Sequence, residues 1–277
     1  MAHTRPSVAD KRRIFRQLHD SGCFVIPNPW DVGSAVYLQS LGFKALATTS
    51  SGFAWSRGRA DGGVARDTAL AHFADLVAAT DVPVNADFEN GFADDAAGVA
   101  GNVALAVRTG VAGLSIEDST GDAANPLFDL TTAIDRIRAA REAIDRSGAD
   151  VFLIGRAECF LVGRPQLGET IERLKAYAQA GADCLYAPGL QGSEQIAAVV
   201  AAVAPKPVNL LVGSAIGLTV REIAALGVRR VSVGGALARS AWSAFMRAAT
   251  LIADEGRFDA FAEAAAGRDL DSFFRAR

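Results

Sequence analysis

Short apolar, β-branched runs bounded by turn residues recur along the chain, and between them apolar positions repeat at helical spacing. The runs predict strands at 23–27, 45–49, 83–88, 112–117, 151–156, 183–187, 207–212 and 229–233. Helices are predicted at 34–41, 66–80, 95–109, 131–147, 168–180, 193–203 and 219–226, after an amphipathic start around Lys11-Arg12-Arg13. Four helices end in a tag that enters the next strand: Leu41-Gly42-Phe43, Thr109-Gly110-Val111, Ala180-Gly181-Ala182 and Leu226-Gly227-Val228. Glycine past the last helical turn adopts the left-handed conformation at little cost. Eight βα units of this kind predict a (β/α)8 barrel of the TIM type rather than an open doubly wound sheet. The absence of GxGxxG after the first strand argues against a dinucleotide-binding domain.

No linker or low-complexity block interrupts the series, so one domain is expected over 1–277, with 240–277 as a C-terminal helical extension. That tail carries Trp242, Phe245, Met246, Phe258, Phe261, Phe273 and Phe274. It reads either as helix packed on its own barrel or as an arm burying its rings on a second subunit. A net charge of −3 gives no footprint for nucleic acid. The Lys11-Arg12-Arg13 cluster reads as a solvated helix end. No apolar run is long enough to span a membrane, and residues 1–20 hold no signal-peptide core. Cys23, Cys159 and Cys184 form no CxxC, so a reduced cytoplasmic protein without structural disulfides is expected.

Charge gathers where strands should stop: Asn85-Ala-Asp87-Phe-Glu89, Ser115-Ile-Glu117-Asp118 and Arg156-Ala-Glu158. Alternation places Asn85, Asp87 and Glu89 on one side, Ser115 with Glu117 on another with Asp118 opposite, and Arg156 with Glu158 on a third. In a barrel these sides can converge on the mouth, and Asp61, in a long loop over 50–63, can fold over it. Any one of these acids alone reads as a paired surface group; several at matched positions read as a metal site. His3, His19 and His72 lie away from predicted strand ends, which disfavours zinc and leaves Mg2+ or Mn2+ held by oxygens. Lys44 and Lys206 precede strands and Lys175 sits mid-helix, so a Schiff-base route is poorly served. No histidine is placed for a Ser-His-Asp triad. What remains is a cation that polarises a 2-oxo acid and stabilises its enolate. Arg156 reads as a fork for a substrate carboxylate, or as an ion-pair partner of Glu158 or Glu117. Gly213-Ser214 and Gly234-Gly235 follow strands seven and eight, where barrels bind phosphate or simply pack tightly. Cys159 reads as an inert, half-buried thiol.

These residues resemble a known family. Asn28-Pro-Trp-Asp31 with Ser34-Ala35, Thr49-Ser-Ser-Gly-Phe53 with Asp61-Gly62, and Asp87-Phe-Glu89-Asn-Gly91 are similar to the isocitrate lyase/phosphoenolpyruvate mutase superfamily. So are Gly113-Leu-Ser-Ile-Glu117-Asp118, Gly155-Arg-Ala-Glu158, Ala180-Gly-Ala-Asp183 and Pro207-Val-Asn209, in order from about residue 10 to 250. The resemblance implies a (β/α)8 barrel, a last helix swapped between subunits, and a homo-oligomer, dimer or dimer of dimers. It also implies Mg2+ with a 2-oxo acid or its enolate. By position Asp87 resembles the direct metal ligand, Glu89 and Glu117 resemble acids holding the ion's waters, and Asp61 resembles the loop aspartate nearby. Ser51, Gly52 and Phe53 match the loop that grips the oxo-acid carboxylate. Arg156 matches the substrate-binding arginine, and Asn209 an asparagine of the lyase branch.

The chain also departs from that pattern. The lyases follow strand four with a Lys-(Lys/Arg)-Cys-Gly-His gating loop, whereas residues 118–128 read Asp-Ser-Thr-Gly-Asp-Ala-Ala-Asn-Pro-Leu-Phe. Asn125 stands eight residues after Glu117, where the mutase and phosphonopyruvate hydrolase branch carries a loop asparagine. After strand six, Ala187-Pro188-Gly189 replaces the lyase glutamate and the mutase histidine. The expected function is Mg2+-dependent cleavage of a C–C bond in a small oxo- or hydroxy-dicarboxylate, with Asp61 or Glu158 moving the proton. P–C bond chemistry with Asn125 as a loop contact is one alternative; non-catalytic binding of a 2-oxo acid is another.

Overall fold

A computed structural model describes residues 5–276; His3 lies outside them. The chain opens with α1 (Val8–Leu18) and β1 (Phe24–Ile26), then α2 (Val32–Ser40) and β2 (Leu46–Ala47). Next come α3 (Ser50–Ser56), α4 (Arg66–Ala79), β3 (Val84–Asp87), α5 (Ala96–Arg108) and β4 (Gly113–Glu117). After them follow α6 (Leu130–Arg146), β5 (Phe152–Arg156), α7 (Leu167–Gln179), β6 (Cys184–Tyr186) and α8 (Gly192–Val203). β7 (Val208–Leu211), α9 (Val220–Ala225) and β8 (Arg230–Ser232) complete the alternation. Residues 50–56, expected within a loop, form helix α3, whose first turn Thr49 caps by accepting from the Gly52 N–H at 3.2 Å.

The eight strands form one parallel sheet in the order β1-β8-β7-β6-β5-β4-β3-β2, a nearly closed (β/α)8 barrel. One backbone hydrogen bond, Ala47 N to Pro27 O at 3.0 Å, crosses the remaining seam. Asn28 stitches the same place from both sides. Its amide donates to Thr48 O at 2.8 Å, and its Oδ1 accepts from the N–H groups of Val233 and Gly234 at 2.9 Å each. Those bonds use the Gly234 N–H that a phosphate would need.

The main core lies between strands and helices, with Leu76, Val84, Leu114, Ile116, Leu153 and Leu185 among its buried members. A smaller cluster fills the barrel's lower interior, where α1 acts as the plug: Phe15 meets Phe152 edge-on at 5.8 Å, and His19 stacks on Phe152 at 4.1 Å. Gly113 makes this plug possible, because a Cβ there would stand 2.6 Å from the Phe15 ring. The basic cluster on α1 is not a solvated end. Lys11 is buried and donates to Val77 O and Thr80 O, while Arg12 donates to Val107 O and Val111 O. Two of the three cations thus satisfy orphan carbonyls at the ends of α4 and α5.

Residues 5–236 belong to one compact unit and 237–276 to another. The second unit holds nearly all of α10 (Ala236–Glu255), a short 3-10 turn at Asp259–Glu263 and α11 (Gly267–Arg275). Within it Trp242 packs edge-on to Phe245, Phe258 tilts over Phe261, and Phe273 meets Phe274. All three cysteines are free, and Cys159 is fully buried rather than half-buried. Among the described residues no helix is long and apolar enough to cross a membrane.

Candidate active site

Strand polarity in a βα barrel sends the C-terminal ends of all eight strands to one face, where substrate sites form. There a cavity of ≈ 180 Å3 is lined by residues from every strand end or the turn after it, Asn28, Thr48, Asp87, Ser115, Arg156, Tyr186, Asn209 and Ser232 among them. Ser51 enters from the start of α3, and Asp61 from the loop after it. Gly235 lets α3 approach: a Cβ there would meet Ser51 Oγ at 2.8 Å and the Trp55 ring at 3.0 Å.

Arg156 stands at the centre of the acids. Its Nη1 lies 3.2 Å from Asp87 and 3.2 Å from Glu117, and its Nε pairs with Glu158. Its guanidinium also sits over the Tyr186 ring at 5.0 Å. Burial works against this charge, but Glu117 and Glu158 outweigh it and hold the guanidinium protonated well above its ordinary value. So the ion-pair reading of Arg156 describes the protein alone, and the same fork faces the cavity.

Asp87, the last residue of β3, is held from the backbone outward. Its N–H donates to Thr48 Oγ1 at 2.8 Å, and its Oδ2 accepts from the Ser50 N–H at 2.9 Å. Glu89 departs from the strand-alternation argument, because β3 stops at Asp87 and Glu89 takes a left-handed φ of 48°. It lines a small neighbouring pocket, with Asp87 on the shared wall, and not the main cavity. Burial first, then Asp87 and Asp61, push its carboxyl up to about 7. Glu117 is raised well above the carboxylate range, by burial first, and Glu158 is raised for the same reason, with Arg156 opposing both. Asp61 keeps solvent-exposed surface but is raised too, by partial desolvation at the mouth and then by Asp87, while a hydrogen bond from Ser50 and the charge of Arg156 oppose.

Asp118, on the far side of β4, fixes the strand ends from behind. It accepts from Glu158 N at 2.8 Å, Tyr177 OH at 2.5 Å and Arg173 Nη1 at 3.1 Å. Arg173 also donates to Phe128 O at 3.0 Å, tying down the end of the loop after β4. Within that loop Ser119 bridges Leu127, and Asn125 is solvent-exposed with its amide on Asp122 at 3.3 Å. Asn125 does not line the cavity. Neither do Gly52, whose N–H is spent on Thr49, nor Phe53, which stacks on buried His72 at 3.8 Å. Ser51 does, as does fully buried Asn209, which donates to Ser232 Oγ at 3.0 Å and accepts from Arg230 at 2.8 Å.

Sequence reasoning missed Thr48, Ser50, Tyr186 and Arg230. Thr48 acts through its hydroxyl and Ser50 through its N–H and hydroxyl, and neither residue type carries a sequence signal for that role. Arg230 had one: in Arg230-Val-Ser232, alternation puts the arginine and the serine on one face of a barrel strand.

Among the described residues no three acidic, histidine or cysteine side chains converge into a ready-made metal site. A hard cation that keeps several of its waters needs only one or two carboxylates directly, so an Asp87-anchored Mg2+ fits the donors present. The electrostatics fit as well. Asp87 raises the proton affinity of Asp61, Glu89, Glu117 and Glu158, and Arg156 is the cation that opposes it at each of them.

Residues 15–253 match the phosphoenolpyruvate phosphomutase family. An uncharacterized protein of Mycobacterium tuberculosis (strain ATCC 25618 / H37Rv) is 34% identical over 87% of this chain and 89% of its own length. The 2-methylisocitrate lyase of Halalkalibacterium halodurans is 28% identical, covering 89% and 83%, and the oxaloacetate decarboxylase of Paraburkholderia xenovorans is 30% identical, covering 84% and 76%. A Burkholderia cenocepacia J2315 protein whose crystal structure names it only as lyase or mutase is 48% identical, with a TM-score of 0.94 over 97% of both chains. Oxaloacetate acetylhydrolase in complex with the product oxalate is 29% identical, with a TM-score of 0.84 over 98% of this chain and 95% of that one.

Proposed function

The chain belongs to the phosphoenolpyruvate phosphomutase family, within the isocitrate lyase/phosphoenolpyruvate mutase superfamily, and from that premise we propose that it is a Mg2+-dependent carbon–carbon lyase. Its substrate is a small 2-oxo acid or its enolate, generated from an oxo- or hydroxy-dicarboxylate. The observation that carries this reading is the acid cluster around Arg156: Asp87, Glu117 and Glu158 all pair with it, and Asp61 and Glu89 stand close enough for Asp87 to raise their proton affinity. Such a cluster is short of positive charge, and its all-oxygen donors suit Mg2+ or Mn2+. Kinship with oxaloacetate decarboxylase and 2-methylisocitrate lyase supports C–C cleavage in particular.

Asp87 would hold the ion directly, with Glu89 and Glu117 orienting its waters. A bound Mg2+ would supply positive charge beside the substrate's oxo group and so favour the negative charge that develops there. Arg156 then turns its fork to the substrate carboxylate, and Ser51 adds a hydroxyl from the start of α3. Glu158 and Asp61, both with raised affinity for a proton, are the groups to which proton transfer is assigned. The partner is the small acid alone, and the working form is a homo-oligomer.

A turnover screen with Mg2+ across oxaloacetate, alkylated malates, methylisocitrate and phosphonopyruvate tests this. The expected result is C–C cleavage of at least one dicarboxylate, lost on chelation and restored by Mg2+, with Asp87→Ala lowering the rate by about 100-fold or more. Full activity in metal-stripped protein, or Mg2+-dependent binding of every acid with no turnover, overturns it. P–C bond chemistry is the second reading, supported by the family that the chain matches, and phosphate release from phosphonopyruvate would select it.

A further inference from the structure

Two arginines face the same cavity in opposite electrostatic circumstances. Arg156 touches three carboxylates. Arg230 is 2% exposed, and the ionisable groups that act on it are Cys184 and Tyr186, not a carboxylate. Its Nε donates to Asn209 Oδ1 at 2.8 Å, but its Nη1 is buried without a partner. An arginine keeps its proton in proteins, and a charge buried without a partner is destabilising. A cation held there without a counter-ion calls for an anion that arrives later.

Register shows the direction of approach. Arg156 pairs with Tyr186 across β5 and β6, Tyr186 with Asn209 across β6 and β7, and Asn209 with Arg230 across β7 and β8. All four share one row on the inner face and line the cavity. From below, the plug offers no anion: His19 is held neutral, chiefly by burial and then by Arg230 itself, and Phe15 and Phe24 pack on its ring. The open side is the cavity. Its ≈ 180 Å3 lies below the ~300–1,000 Å3 of pockets that hold drug-sized ligands, so the anion belongs to a small molecule.

We propose that Arg230 binds the distal anionic group, carboxylate or phosphonate, of a dianionic 2-oxo acid whose other end is held at the mouth by Ser51, Arg156 and the Asp87-anchored cation. The assignment rests on the function proposed above and names the residue that would select a second anionic group on its substrate. The buried Asn85 Oδ1, also without a donor and also on the cavity wall, suits a water or a hydroxyl beside that group.

Calorimetric titration of the full-length, Mg2+-loaded protein with freshly dissolved oxaloacetate, phosphonopyruvate and pyruvate tests it. The first two carry the distal anion as carboxylate and as phosphonate; pyruvate lacks it. Wild type should bind at least one dianion about 10- to 100-fold more tightly than pyruvate, the range of a charge-assisted bond. Arg230→Met should bring that ratio to within about threefold by weakening the dianion alone, with Arg230→Lys between. A wild-type ratio near one overturns the assignment without any variant, and so does Arg230→Met that keeps the wild-type ratio. Should Arg230→Met not fold, the wild-type ratio and Arg230→Lys decide. Mg2+-dependent binding of pyruvate with a ratio near one leaves the proposed function standing and removes Arg230 from it. No binding of any of the three acids overturns both.

Discussion

Buried titratable side chains set the chemistry of the mouth, and away from it they set how the protein responds to acid. His72 stacks on Phe53, its Nε2 has no hydrogen-bond partner, and burial lowers its pKa from 6.5 to about 4. The sign follows from which state takes the proton. Below pH 6.5 the unfolded chain protonates His72 while the folded one does not, so its contribution is complete above pH 6.5 and shrinks as pH falls toward 4. The slope is about 1.4 kcal/mol per pH unit. Glu89, raised to about 7, works in the opposite direction over much of that range, so the wild-type profile alone is mixed. The decisive quantity is a difference: from pH 7 to pH 5 in metal-free buffer, wild type should lose roughly 2 kcal/mol more urea stability than His72→Leu. Equal losses would refute the neutral, buried histidine.

At the scale of elements, the strands and long helices were legible because a parallel barrel strand, covered on both faces, is a continuous apolar run. The acidic strand ends were legible for the same reason, since charge stops such a run. Helix α3 was not: Ser-Ser-Gly-Phe-Ala-Trp-Ser is too short to display a period, and the Thr49 cap is apparent only once the turn exists. Glu89 was misplaced because nothing in its identity encodes a φ of 48°. Nor did the sequence show that Asn28 closes the barrel, since an asparagine after a strand reads as a turn residue. Its three hydrogen bonds join the end of β1 to β2 and to the turn after β8. At about 0.5–1.5 kcal/mol for each bond, with buried partners left unsatisfied, Asn28→Ala should cost about 2–4 kcal/mol. Equilibrium urea denaturation measures this, and a loss under 1 kcal/mol would mean that the seam is held by other contacts.

The whole molecule poses a different problem of burial. Residues 237–276 carry Trp242, Phe245, Met246, Phe258, Phe261, Leu270 and Phe274 on exposed surface, Phe258 at 62%. Of the 20 residues of α10, only Ala238 is buried. Scattered exposed apolar side chains are ordinary, but large aromatics concentrated in one small unit mark an interaction surface. Five rings of ~150–250 Å2 each, about half exposed, offer roughly 400–600 Å2. That is about half to three quarters of the ~800 Å2 that each partner contributes to a standard interface. A second copy of the chain is the occupant that needs no other component, and this makes the homo-oligomer a quantitative expectation. Light scattering coupled to size exclusion at micromolar concentration should find wild type as a dimer or dimer of dimers. The double substitution Phe245→Asp with Phe258→Asp should shift it to a smaller species, because two charges would have to be buried in the interface. Far-ultraviolet circular dichroism should show the barrel intact in that variant. A wild type that runs as a monomer, or a variant that assembles as wild type does, would mean that these rings face something other than a copy of this chain.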